Sequence, residues 1–242
     1  MLAIYRKEVN SYLNSLIAYV VIAVFLTGTG LLMWVFPDTS VLAYGFADLS
    51  TLFSLGPYIF MFLIPAITMR SFAEERKAGT MELILTQPVT DWQLVLGKYF
   101  ASWTVVVLAV LPTLIYYFSI YQLGNPVGNL DSAGIFGSYI GLTLLGGVFT
   151  AIGTLASSLT ENQVIAFILA VFFCFFLYTG FSSLAGLEFW GDSALVVEKF
   201  GILHHYDAMS RGLIDSRNLL YFITVTTLML LLTQLVLNSR KW

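Results

Sequence analysis

The chain has 242 residues, 58% of them hydrophobic and only 10% charged, with a mean hydropathy of +0.85 and a net charge of -3. Soluble domains carry about 25% charged residues, so the composition excludes an ordinary water-soluble domain, and so small a net charge gives no footing for nucleic acid or an acidic ligand. The single cysteine, Cys174, excludes an internal disulfide and a cysteine-rich metal site; in its apolar run it reads as a small buried hydrophobe.

Residues 2–15 read as an amphipathic helix. Tyr5, Val9, Tyr12 and Leu13 share one face, and Arg6, Lys7, Asn10 and Asn14 share another. Such a helix lies along lipid headgroups. Six stretches are then long and apolar enough for the roughly 20 residues of helix that cross a bilayer. They cover residues 16–36, 52–69, 100–121, 134–158, 164–184 and 219–237, and none contains Asp, Glu, Lys, Arg or His. The first is too long for a signal peptide and no A-x-A cleavage pattern follows it. The fold class is therefore all-α: a single polytopic membrane domain over residues 1–242.

Between the second and third spans the charge density rises. Eight of the chain's 11 Lys/Arg and 14 Asp/Glu residues lie between Arg70 and Lys98. The second span is predicted to run on as helix to about Lys77 and Ala78, with Gly79 as the left-handed residue past its end. Thr80 is placed to cap a short helix over residues 81–86, with Glu82 in its first turn. Pro88 stops that helix and keeps Gln87 extended. Thr90 and Gln93 form a capping box for the helix into the third span. The short helix offers Met81, Leu83, Ile84 and Leu85 beside the Glu82 carboxylate, a hydrophobic lever tip suited to a groove on a soluble partner.

The fourth span is built from small residues. Gly137 and Gly141 form a G-x-x-x-G pair, and Gly146, Thr150, Thr154 and Ser158 continue a ridge spaced by four. Small residues let helices approach closely in lipid, and packing within one bundle is favoured over a dimer contact. The loop over residues 185–218 is too long and apolar for a simple connector and reads as short helices at the membrane surface. Its adjacent His204 and His205 point to different sides of a helix and make a poor metal pair.

Orientation follows from the basic residues. Arg6, Lys7, Arg70, Arg76, Lys77, Lys98, Arg240 and Lys241 lie on one side, against Lys199, Arg211 and Arg217 on the other. The positive-inside rule puts both termini in the cytoplasm. No G-x-x-x-x-G-K-[ST] phosphate loop, H-E-x-x-H or G-x-S-x-G motif is present, so neither a cofactor site nor catalytic residues are expected. Coupled transporters keep ionisable groups inside the bilayer. These spans hold none, which disfavours a secondary transporter and leaves the energy source elsewhere. A channel or a membrane scaffold remains the alternative.

Glu74, Arg76, Gly79, Thr80, Glu82, Leu85 and Pro88, followed by Gly97-Lys98, resemble the coupling segment of type-2 ABC transporter permeases, E-x-R-x-x-G-T-x-E-x-L-L-x-x-P with a later G-K. The one departure is Ile84 for the first leucine. The resemblance implies a non-enzymatic bacterial inner-membrane subunit. A separate ABC-type ATPase carrying ATP and Mg would meet it at residues 74–88, with Gly97 and Lys98 included. A second permease chain, a different one more than a copy, would stand beside it in the lipid. The stretch from His205 and Tyr206 through Arg211 and Gly212 to Asp215 resembles the gliding-motility permeases and the nitrous-oxide-reductase maturation permeases, the former most. It implies an extracellular gate and a link to gliding motility.

Overall fold

The computed structural model describes residues 1–44, 48–81, 89–187, 189 and 193–239. The helix α1 (Leu2–Leu13) precedes the first span, α2 (Leu16–Trp34). After a short helix α3 (Val41–Tyr44), the second span is α4 (Ser50–Thr68), continued across Met69 by α5 (Arg70–Lys77). The third span is α6 (Asp91–Val110), a 3₁₀ turn (Leu111–Thr113) and α7 (Leu114–Leu123). The fourth is α8 (Ser132–Leu159). The fifth is α9 (Gln163–Phe175), a π segment (Phe176–Gly180) and α10 (Phe181–Ala185). Two loop helices, α11 (Ala194–Glu198) and α12 (Ile202–Ser210), lead to the sixth span, α13 (Ser216–Asn238). Among the described residues there is no strand, and six helices are long and apolar enough to cross a membrane.

The fourth span is the centre. It packs against α4, α5, α6, α9, α12 and α13, and it can do so because its side chains are small. A β-carbon at Gly146 would lie 2.8 Å from Val106 of α6, and one at Gly141 would lie 2.8 Å from the β-carbon of Met209 on α12. Gly137 meets the backbone of Gly212 in the same way. The G-x-x-x-G pair thus holds the outer loop against the bundle within one chain. With no water to drive helices together, this close van der Waals contact is the main source of association.

Many threonine hydroxyls in the spans are satisfied locally. Thr27, Thr29, Thr150, Thr154, Thr224 and Thr227 each donate to the carbonyl four residues earlier, at 2.7–2.8 Å. A polar side chain is thereby satisfied without a partner helix or water. The third span passes through its 3₁₀ turn at Pro112, which lacks the N–H that an α-helix needs.

Candidate functional site

The candidate site lies at the end of the bundle that carries α1 and α5, and it begins where the second span breaks. Ser157 on α8 donates to the Met69 carbonyl at 2.9 Å and accepts from the N–H groups of Phe72 and Ala73 at 3.0 and 3.1 Å. The first amides of a helix have no partner inside it. Here a hydroxyl from the central span supplies one, which pins the start of α5.

The far end of α5 closes as the sequence predicts. Gly79 is left-handed at φ 68°, Gly79 N–H bonds the Arg76 carbonyl at 3.0 Å, and Thr80 N–H bonds the Glu75 carbonyl at 3.0 Å. These two bonds are a Schellman closure. The Thr80 hydroxyl donates to the same Glu75 carbonyl at 3.2 Å, so it braces the helix behind it. The helix that Thr80 was expected to cap lies outside the described residues, as do Glu82, Leu83, Ile84, Leu85 and Pro88. The capping box of Thr90 and Gln93 is present.

Met81 differs from expectation. It is buried, in a cluster with Phe72, Leu94, Val95 and Tyr99. Beyond the left-handed turn at Gly79 its thioether packs into the core. Arg76 is buried as well, while Glu74, Gly79 and Thr80 are exposed. Glu74 accepts two hydrogen bonds from the Arg70 guanidinium, both at 2.9 Å, a bidentate pair one helical turn apart.

Gly97 and Lys98 face inward, onto α1. A β-carbon at Gly97 would stand 2.8 Å from Ile4 Cγ2, so the glycine lets the two helices touch. One residue on, Lys98 is 2% exposed. Its Nζ lies 2.9 Å from Glu75 Oε1 and 3.2 Å from Glu8 Oε1, and 5.3 Å from the centre of the Phe72 ring. Lys7 Nζ reaches the same two oxygens, Glu8 at 3.3 Å and Glu75 at 3.4 Å. Burial, the largest influence, opposes the Lys7 charge, yet the two carboxylates raise its affinity for a proton above the ordinary value. Further along, Tyr12 Oη and Ser102 Oγ are 3.0 Å apart. Ile4, Glu8 and Tyr12, spaced by four, therefore meet Gly97, Lys98 and Ser102 in turn. A polar cavity of about 260 Å³ opens beside this contact, lined among others by Ser11, Arg70 and Ser71.

Sequence reasoning missed Glu8, Glu75 and Ser157. The signal available was the polarity of Lys98 and Ser102 within the mostly apolar run from Leu94 to Val110, since each needs a buried partner. Nothing in the pattern named Glu8 as that partner.

At the opposite end the loop residues are held mainly by structure. Tyr206 is buried and donates to the Phe53 carbonyl at 2.6 Å. The His205 ring stacks on Tyr221 with centroids 3.9 Å apart, its Nδ1 2.8 Å from Asn218 Oδ1 and its Nε2 3.0 Å from the Lys199 carbonyl. Arg211 Nε donates to the Asp207 carbonyl at 3.0 Å. Gly212, at φ 81°, closes α12, and Asp215 caps α13 by accepting from Arg217 N–H at 2.9 Å. Among the described residues no group of His, Cys, Asp or Glu is placed to hold a metal ion.

The family model described as ABC-2 family transporter protein matches residues 2–241, nearly the whole chain. The chain belongs to this family. An ABC-2 permease is a membrane component that normally works with an ABC ATPase. The match is to the family as a whole and does not reach the gliding-motility branch. No curated protein matches the chain.

Proposed function

We propose that this ABC-2 permease couples ATP hydrolysis on a separate ATPase to export, or to mechanical work on a substrate at the far side of a bacterial inner membrane. The carrying observation is α5. It leaves the second span as a short rigid stem, pinned at its start by Ser157 and at its end by Lys98, and terminates in an exposed Gly79-Thr80 turn directly before residues 82–88. A helical stem anchored on the central span at its start and tied by charge near its end passes a push on instead of absorbing it. The ATPase would grip residues 82–88, with Glu74, Gly79 and Thr80 at the rim. Gly97 and Lys98 would act from behind, by seating α1.

The lysine and arginine balance supports cytoplasmic termini, which puts the stem on the side where ATP is. The chain's lack of a phosphate loop, and of charge within its six apolar stretches at residues 16–36, 52–69, 100–121, 134–158, 164–184 and 219–237, supports an external energy source. A second permease chain would complete the pathway, and the loop around Tyr206 and Gly212 would gate its outer mouth. The residues from His205 to Asp215 are what favour the gliding-motility branch.

The test is to purify the tagged protein from its own membranes in mild detergent and identify what accompanies it. A stoichiometric ATPase with a phosphate loop is the expected result, reduced at least tenfold by Glu82→Arg. A protein that stays alone with ATP and after crosslinking refutes the proposal.

A further inference from the structure

Lys7, Glu8, Lys98 and Glu75 form a closed ring of charge: each lysine reaches both carboxylates, at 2.9–3.4 Å. The ring joins three elements, with Lys7 and Glu8 on α1, Glu75 on α5 and Lys98 on α6. Two features set it apart from ordinary packing. First, Tyr12 is the one fully buried residue of α1, and the helix is seated on α6 along a single face, through Ile4, Tyr5, Glu8 and Tyr12. Its salt bridge to α5 joins Lys7 to Glu75. Second, Glu75 is double-ended. Its backbone carbonyl receives Thr80 N–H and the Thr80 hydroxyl, while its carboxylate receives both lysines. Any force that displaces the turn at Gly79-Thr80 is therefore delivered to the ring.

If rigidity were all that was needed, an apolar cluster of similar volume would serve as well or better. Charges do something that apolar packing cannot. Their attraction falls slowly with distance, so Glu75 can shift between Lys98 and Lys7 and keep a partner throughout. An interdigitated apolar contact has to be broken before it can slide. The adjoining cavity of about 260 Å³ leaves room for that shift.

We infer that this ring is the joint through which movement of the segment after α5 reaches α1, with Lys98 as its positioning residue. The surface helix is then a moving part of the coupling apparatus and not a passive anchor. The inference rests on the proposed coupling to an ATPase.

The test uses the purified permease–ATPase complex in lipid nanodiscs. Spin labels go at Asn10→Cys on α1 and Glu161→Cys at the end of α8, both exposed positions, with Cys174→Ala. In the otherwise unaltered complex a non-hydrolysable ATP analogue should change the label distance by about 1–5 Å, the range of helix shifts in switching proteins. Glu75→Gln leaves Glu8 to pair both lysines, so no buried charge is stranded. It should keep the ATPase bound and reduce the nucleotide-dependent change at least threefold. Where that variant does not assemble, Glu8→Gln/Glu75→Gln/Lys98→Met, whose only remaining ring charge is the exposed Lys7, carries the same test. A full-sized change in the neutralised ring overturns the inference, and so does an α1 that stays still in the unaltered complex. Failure to recover any ATPase at the first step overturns the coupling proposal as well, and is seen before any label is introduced.

Discussion

Gly97→Ala adds one methyl group at the contact of α1 with the third span. Its carbon would stand 2.8 Å from Ile4 Cγ2 and 3.0 Å from Ile4 Cβ. Carbon atoms are comfortable at about 3.5–4.0 Å, so something must yield by the better part of an ångström. Forcing such a contact costs about 1–3 kcal/mol. Against it, alanine in a helix interior is worth about 1 kcal/mol over glycine. The two effects act in different places. The gain stiffens α6, which is held on several sides. The cost falls on α1, which has one buried residue and gives way first. The melting temperature in detergent should therefore move little, while amide exchange of α1, followed by mass spectrometry, speeds up about tenfold, the equivalent of 1.4 kcal/mol. In an Ile4→Ala background the same substitution should cost much less, because residues in contact do not contribute additively. The reasoning fails if Gly97→Ala leaves α1 as protected as before while the whole protein gains the full helical increment.

Lys98→Met strands two mostly buried carboxylates with only the exposed Lys7 between them. It should lower stability by about 3–5 kcal/mol, measured by denaturation in mild detergent, and adding Glu8→Gln and Glu75→Gln should recover most of that loss. Ser157→Ala removes the acceptor of two buried amides and should cost about 1–3 kcal/mol, with exchange accelerating at Phe72 and Ala73 but not along α4. At the outer end, burial raises the Asp207 carboxyl above the ordinary value of 3.8, with Glu198 adding to the rise and Arg211 and His204 opposing it. The folded protein then holds that proton longer than the unfolded chain, so stability falls as pH rises from the ordinary value through the raised one. Protection of α12, corrected for intrinsic exchange, should be greater near pH ~4 than near pH ~7, and Asp207→Asn should abolish the difference.

The six spans are legible along the chain, because a run of apolar residues has one use in a bilayer and its length is set by membrane thickness. So is the local punctuation. The Gly79 turn and the Thr90–Gln93 capping box depend on backbone groups a few residues apart, so neighbours in sequence suffice to find them. Gly137 and Gly141 announced close packing, but that their partners are Gly212 and Met209 of the same chain is known from the fold alone. So is the inward turn of Met81. The same holds, more sharply, for Gly97-Lys98. Read along the chain, a lysine after a glycine beside a charged segment looks like part of an exposed surface. Folded, it is buried against Glu8, 90 residues away. A buried charge must find its opposite wherever the fold brings one, and with 14 acidic residues to choose from, no spacing rule can say which. Local geometry is written in the sequence because its partners are adjacent; charge pairing across the bundle is decided by which helices meet.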